Sequence, residues 1–443
     1  MGSMHLVFCT TCKGRTQHLA QTLPKNLADN ARARFVVLDY NDSGDLLKYL
    51  RTNHLDDIEA GRLAVYSMRE AGANFRMAHA KNLAHRAGLL EGADLLCNLD
   101  ADNFTGVGFD DYLLERFSAK PGGFMWAKMV KDGAGRLPRG ISGRIAVTSA
   151  QYLNAGGYDE RFNVWGPDDK DFNIRLRRLG YSMHEIEPRF LKAIFHTDKM
   201  RFKEYRLEEE SDSAAVEAVE VDESGETIAN LGGFGTGVLF KNFDWECPIP
   251  LNPLPTRVFG IGMHKTATTS LHHALLMLGF DSAHWKSAHW AKAIWEEMRT
   301  WGRSLTLERS YALCDLPIPL MFRALDSAYP GSKFILTRRD EAGWIESVEN
   351  HWNPEQNKFR ETWNHDPFTH RLHTLLYGHR NFNRESMLNR YRQHNAEVLE
   401  HFKGRSSDLC IMDMDRGAGW RELCGFLGRP IPGKPYPKAY AAY

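Results

Sequence analysis

The chain has no surplus charge of either sign: 56 lysines and arginines stand against 56 aspartates and glutamates. A protein that grips a polyanion usually carries a basic excess, so the composition argues against nucleic acid as a partner. Long apolar runs are missing as well. No window approaches the roughly eighteen consecutive apolar residues of a spanning helix. The first residues, MGSMHLVFCTT, run straight into a strand-like segment with no signal-peptide pattern. Cysteine is sparse and odd in number, seven in 443 residues. The one close pair, Cys9-Thr-Thr-Cys12, has redox or metal spacing, but no second pair completes a zinc site with it. Most of the thiols sit in apolar runs and read as small hydrophobes, so the expected compartment is a reducing cytoplasm.

What is present is globular: 43% apolar and 25% charged residues, enough for packed cores without a large disordered fraction. The length predicts two domains. In the first half, LVFCTT (6–11), RFVVLDY (34–40), LAVYSM (63–68) and DLLCNLD (94–100) are apolar runs of strand length. Helical stretches such as RTQHLAQTLPKNLADN and FRMAHAKNLAHRAGLLEG lie between them. This alternation predicts an α/β fold with a mostly parallel sheet. From Glu204 to Glu226 ten carboxylates face one arginine, which reads as a solvated excursion. NLGGFGTGVLFKNFDWE (230–246) reads as a hairpin, and CPIPLNPLP (247–255), with four prolines in nine residues, as a linker. A second αβ pattern opens at RVFGIG (257–262), and Leu271, Ala274, Leu275 and Leu278 share one helix face beyond it. Strands follow at KFILTRR (333–339) and LCIMDMD (409–415). The expected domains are residues 1–246 and 257–443, joined by the proline-rich stretch 247–256.

In the first half, LLCNLDADN places Asp100 and Asp102 just past a buried strand, where open α/β sheets bind ligands. Two carboxylates one residue apart can share a hard divalent cation whose other positions go to a diphosphate; they also suit a plain acidic turn. The segment GGYDERFNVWGPDDKDFNIRLRRLG (156–180) resembles the galactosyltransferase and chondroitin-synthase-like branch of the GT-A nucleotide-sugar glycosyltransferases, over roughly residues 4–200. The resemblance implies a Rossmann-like GT-A fold and a nucleotide-sugar donor, expected to be a UDP-sugar. It implies Mn²⁺ (or Mg²⁺) bound at Asp100, Asp102 and His196. It also implies nucleotide contacts from Arg15, Asp39, Lys81 and Asn82, where lysine stands at a position that often holds arginine. Asp169 aligns with the base of the inverting branch, with Asp168 on the acceptor. Asp168, Asp169 and Asp171 equally suit a helix N-terminus.

The second half opens with GMHKTATTS (262–270), a strand–loop–helix phosphate cradle that lacks the Gly-Lys pair of a Walker loop. Its lysine, Lys265, comes early, and Thr266, Thr268, Thr269 and Ser270 offer hydroxyls. The stretch resembles the 5′-phosphosulfate loop of sulfotransferases, and FILTRRDEAGWIESV (334–348) resembles their 3′-phosphate site. Arg339 and Ser347 fit its eight-residue spacing, with Trp344 at an aromatic position of the bacterial branch. The resemblance covers about residues 257–430. It implies a P-loop-like sulfotransferase fold and 3′-phosphoadenosine 5′-phosphosulfate as donor, held by Lys265, Thr266, Ala267, Thr268, Thr269, Ser270, Arg339 and Ser347. Lys265 would carry charge on the bridging oxygen. Asp315 in YALCDLPIPL is the preferred base, with His264 next. The histidines of DSAHWKSAHW (281–290) suit either an acceptor cleft or a core.

The combined expectation is a bifunctional enzyme: a metal-dependent, inverting sugar transfer followed or preceded by sulfuryl transfer to a carbohydrate or glycoconjugate hydroxyl. Two other readings stay open. In one the second domain only binds a nucleotide; in the other it is a P-loop kinase, against which the missing Gly-Lys counts.

Overall fold

A computed structural model describes residues 4–41, 44–69, 75–120, 122–127, 141–162, 168–194, 227–231, 233–251, 254–352, 366–379, 381–429 and 431–438. The chain divides into two compact units, Met1–Asn230 with Phe234–Leu254, and Pro255–Tyr443 with Leu231–Gly233.

In the first unit the strands are β1 (Leu6–Cys12), β2 (Arg34–Tyr40), β3 (Leu63–Met68), β4 (Leu95–Asn98), β5 (Asn103–Phe104), β6 (Gly123–Trp126), β7 (Ile145–Thr148), β8 (Ser182–Glu185), β9 (Lys192–Ala193), β10 (Gly237–Lys241) and β11 (Ile249–Leu251). Nine of them form one sheet in the order β11-β10-β3-β2-β1-β4-β7-β6-β8. The run β3-β2-β1-β4 is parallel. Its strands are buried on both faces, which is why they read as continuous apolar runs rather than alternating ones. The order reverses between β1 and β4, so a crevice opens at their carboxyl ends. Helix α1 (Thr16–Asp29) leaves β1 there. Helix α2 (Met77–Leu90) is buried along most of its length, and α3 (Asp168–Arg178) carries Asp168, Asp169 and Asp171 in its first turn.

The α/β expectation holds, with differences at the edges. The proline-rich stretch supplies the edge strand β11, which pairs antiparallel with β10. The expected hairpin therefore exists, but its second arm comes from the stretch read as a linker. Proline fits such an edge, where an N–H faces solvent. Cys9 and Cys12 both lie in β1 and are buried. Strand alternation sends residues three apart to opposite faces. Cys12 joins the core of Leu6 and Phe8, and burial pushes the Cys9 thiol well up. The pair is packing, not a redox or metal couple. The acidic block 204–226 lies outside the described residues.

The second unit holds a five-stranded parallel sheet of β12 (Val258–Gly260), β13 (Ser282–His284), β14 (Ala312–Cys314), β15 (Lys333–Arg338) and β16 (Leu409–Asp413), in the order β13-β14-β12-β15-β16. The first strand in sequence is central. Helix α4 (Thr268–Met277) follows it, and α5 (Glu341–Trp352), α6 (Pro367–Tyr377) and α7 (Arg384–His401) come later. These last three build a core with Met263 of the loop through Trp344, Ile345, Val348, Leu372, Leu376, Tyr377, Met387 and Tyr391.

Candidate active sites

In the first unit two chain segments meet at the crevice beyond β1 and β4. Arg15, where β1 turns into α1, reaches the Asp102 carboxylate at 3.2 Å. Asp102 is 1% exposed and also accepts from Asn103 Nδ2 at 2.7 Å. Behind them lies Arg144, fully buried, whose guanidinium donates to Asn103 Oδ1 at 2.7 Å and to the Phe190 carbonyl. Burial lowers its pKa to about 10, against the pull of nearby anions that include Asp100 and Asp102. Asp100 is different. It accepts from Asn98 Nδ2 at 3.2 Å and has no ion-pair partner among the described residues.

Asp100 also meets the acidic turn of α3. A Cβ placed on Gly143 would lie 2.8 Å from Asp100 Oδ2 and 3.2 Å from Asp169 Oδ2. Both carboxylates therefore converge over this one backbone position, which has room only for glycine. Lys81, from α2, donates to Asp168 at 2.7 Å and to Asp169 at 2.6 Å, and its side chain is 3% exposed. Burial alone would lower its pKa; the carboxylates of Asp168, Asp169 and Asp100 outweigh that and hold the ammonium well above its ordinary value. Asp169 goes the other way. Burial raises it, Asp168 and Asp100 add to the rise, and Lys81 only partly offsets them, leaving it at about 7.

Four residues expected around the nucleotide are thus placed in distinct settings. Arg15 faces Asp102, and Lys81 holds the acid pair of α3. Asn82 spends its whole amide on the scaffold. It donates to the Tyr158 carbonyl at 2.8 Å and Glu160 at 2.9 Å, and accepts from Tyr158 N–H at 2.8 Å and the Tyr152 hydroxyl at 3.0 Å. It anchors the Gly156–Glu160 turn. Asp39 is buried at the end of β2, in register with Cys12 of β1 and Ser67 of β3. His196 lies outside the described residues. Arg144 was not singled out from sequence; nothing in SGRIAV marks its arginine as buried.

In the second unit the loop after central strand β12 runs from Ile261 to Ala267. Lys265 and Ala267 both adopt left-handed backbone, φ 69° each, which curls the loop's peptide groups toward one centre. Gly262 is packed against β15: a Cβ there would sit 2.0 Å from Thr337 Oγ1 and 2.6 Å from the Thr337 carbonyl. Gly262→Ala is therefore expected to destabilise the protein by roughly 1–3 kcal/mol through overpacking, read as a lowered thermal midpoint. Thr266 is fully buried and bonds the Met263 carbonyl at 2.6 Å and the Thr337 hydroxyl at 2.7 Å, bracing the loop. Thr268 and Thr269 hydroxyls lie 3.2 and 3.4 Å from His284 Nε2. Ser270 is buried in the first turn of α4.

Lys265 makes no hydrogen bond or ion pair among the described residues. Burial lowers its pKa, Asp315 opposes the fall and Arg339 adds to it. Trp344 holds the loop from the other side, donating from its indole to the His264 carbonyl at 3.0 Å and stacking on Tyr391 at 4.2 Å. The Tyr391 hydroxyl bonds both the N–H and the carbonyl of Arg339, at 2.9 and 2.8 Å. Arg339 pairs with Asp415 at 3.3 Å, and Arg338 with Asp413 at 2.8 Å. Ser347 lies on α5, half-buried.

Asp315 sits where β14 ends, buried and with φ 71°. His264 Nε2 is 3.7 Å and His284 Nε2 3.4 Å from its two oxygens. Burial alone would raise its pKa; the two imidazoles and the Leu316 N–H bond outweigh that and hold it below the ordinary carboxylate value. Both base candidates, Asp315 and His264, therefore occupy one place. His284 joins them, carried there by β13, a strand of three residues.

Comparison with known proteins follows the same division. Residues 257–442 match the family model of the sulfotransferase domain, and residues 133–199 that of the N-terminal domain of galactosyltransferase. No curated protein matches. Similar solved structures include the mannosyltransferase PcManGT from Pyrobaculum calidifontis in complex with GDP-Man and Mn²⁺, at 15% identity and TM-score 0.35, covering 46% of this chain and 61% of that one. GalNAc-T7 with UDP, GalNAc and Mn²⁺ is 13% identical with TM-score 0.33, covering 42% and 43%. S. aureus TarS is 13% identical with TM-score 0.36, covering 51% and 41%. This chain thus spans less than two thirds of each of those chains. Matches to two transferase families thus lie along one chain, a galactosyltransferase-type segment and then a sulfotransferase domain, in the order the sequence motifs indicated.

Proposed function

We propose that the enzyme transfers a sugar from a nucleotide-sugar donor at its first site and a sulfuryl group from 3′-phosphoadenosine 5′-phosphosulfate at its second, to hydroxyls of a carbohydrate or glycoconjugate. The observation that carries this reading is Lys265: a part-buried ammonium with no hydrogen bond or ion pair among the described residues, on a curled loop at the end of the central strand. Such a group is poised for a phosphate or sulfate brought by a ligand.

At the first site Asp100 and Asp102 offer only carboxylate oxygens, a donor set that fits a hard ion such as Mn²⁺ or Mg²⁺. When bound, that ion neutralises the leaving diphosphate. The protein's own groups do the rest. Asp169 accepts the proton of the acceptor hydroxyl as its oxygen bonds to the anomeric carbon and the bond to the diphosphate breaks. Its raised pKa suits a base at neutral pH. Lys81 fixes the direction of the Asp168 and Asp169 carboxylates. Arg15 and Arg144 brace the Asp102 side of the crevice.

At the second site Arg339 and Ser347 hold the 3′-phosphate, and the loop from Lys265 to Ser270 holds the phosphosulfate. The acceptor oxygen bonds to sulfur, the bond from sulfur to the bridging oxygen breaks, and Lys265 takes up the charge left on that oxygen. Asp315, kept ionised by His264 and His284, receives the acceptor's proton.

The direct test is calorimetry with 3′-phosphoadenosine 5′-phosphate. The wild-type chain is expected to bind it, and an Arg339→Ala, Ser347→Ala double variant to lose at least about tenfold in affinity, the worth of about 1.4 kcal/mol. A wild-type chain that does not bind it would end the sulfuryl-transfer reading.

A further inference from the structure

We infer that His264, His351 and His373 form a binding site for a borderline-soft divalent metal ion of the zinc type, beside the phosphate loop. The three side chains come from three elements: the loop after β12, the last turn of α5, and α6. Each offers one ring nitrogen, and these nitrogens all lie within 4.8 Å of one another. Ligand nitrogens around a tetrahedral zinc sit roughly 3.4 Å apart, from metal–nitrogen distances of about 2.0–2.1 Å. Small side-chain rotations close the difference.

Plain aromatic packing is the competing account. His264 lies edge-on to His351 at 4.7 Å, and Trp352 and Tyr377 pack edge-to-face at 4.6 Å beside them. Packing explains why rings are there. It does not explain why three of them are imidazoles, since a buried polar ring costs more than a phenyl of similar shape. The chemistry of the set points to a metal. Imidazole suits Zn²⁺, Cu²⁺ and Ni²⁺, whereas the all-oxygen set at Asp100 and Asp102 suits Mg²⁺ or Mn²⁺. Burial also favours the neutral ring in all three, pushing His373 down to about 3 and lowering His264 and His351.

The surroundings complete the picture. His264 has Tyr377 hydroxyl 3.0 Å from Nδ1 and Asp315 3.7 Å from Nε2. The Asp315 contact is electrostatic rather than hydrogen-bonded at that length, and the carboxylate would offset part of the metal's charge. Three protein ligands leave one coordination position open for water or another oxygen ligand. Because His264 precedes Lys265, a metal there would also pin the phosphate loop to α5 and α6. The inference stands on the three imidazoles alone and does not depend on sulfuryl transfer.

The test uses the full chain, stripped with a chelator and titrated with Co²⁺ and then Zn²⁺. The expected result is one equivalent of Co²⁺ with the visible bands of a tetrahedral site, displaced by Zn²⁺. His351→Ala and His373→Ala should each abolish those bands, while Asp102→Asn keeps them. Zn²⁺ should raise the thermal midpoint of the wild type and not that of either histidine variant. Should an alanine variant fail to fold, His264→Gln serves in its place. Absence of tetrahedral bands in the wild type, or their survival in all the histidine variants, overturns the site. Because the readout is a spectrum, either outcome leaves the test of 3′-phosphoadenosine 5′-phosphate binding untouched.

Discussion

Lys265→Ala is expected to cut sulfuryl transfer by about 10²–10³-fold in kcat, the usual cost of losing one preorganised donor to a developing negative charge. Affinity for 3′-phosphoadenosine 5′-phosphate should change much less, because Arg339 and Ser347 are the proposed contacts of the far phosphate. The split follows from the geometry. Lys265 makes no ion pair among the described residues, and Thr266 braces the loop through Met263 and Thr337 without it. Removing the lysine therefore leaves the cradle standing. The measurement is transfer of labelled sulfate to a carbohydrate acceptor, set beside calorimetry of the product nucleotide. Equal losses in both would mean that Lys265 serves binding alone. Phosphate release from ATP that depends on Lys265 would favour the kinase reading, although Ala267 stands in left-handed backbone near where a Walker lysine would be.

How far the sequence led depends on what kind of signal each element carries. Strands β1 to β4 are buried on both faces, so their apolar runs gave them away within a residue or two. Strands β13 and β14 are three residues each, Ser-Ala-His and Ala-Leu-Cys. No period can be read from three residues, so the histidines beside them looked as much like core as like a site. The strand–loop–helix at 257–270 was legible because its geometry is local: a strand, a tight turn and a helix start lie within fifteen residues. Asp315 and His264 were both named as bases, and the fold brings them to 3.7 Å. Their pairing with His284 was not legible, because contacts across roughly twenty to thirty residues leave no trace in spacing. Arg144 and the group of His264, His351 and His373 escaped for the same reason. Lys81 and Asn82 show a subtler limit. Adjacent on one helix, they take different tasks. Lys81 turns to the acid pair of α3, while Asn82 fastens the turn that precedes it. Residue type at a motif position marks a neighbourhood; only the fold decides which partner is reached.

Asp169→Asn is expected to lower the rate of sugar transfer by about 10²–10⁴-fold, the range for a positioned general base. Asparagine keeps the shape and removes the proton acceptor, so donor binding should survive. The pH dependence gives a second and sharper check. A base works ionised, so activity should be present above its pKa and lost as pH falls through it. With Asp169 near 7, kcat/KM should climb across neutral pH rather than around the ordinary carboxylate value near 4. Lys81 sets where that climb falls. Its ammonium favours the charged form of Asp169, against burial and the neighbouring charges of Asp168 and Asp100. Lys81→Met removes the ammonium that pulls the pKa down, so the climb should move to higher pH. A purely structural role for Lys81 would lower the rate at every pH and leave the profile where it was. A climb that persists in Asp169→Asn would assign the base to another group. Rate loss and profile shift together would tie the chemistry to the carboxylates that converge over Gly143.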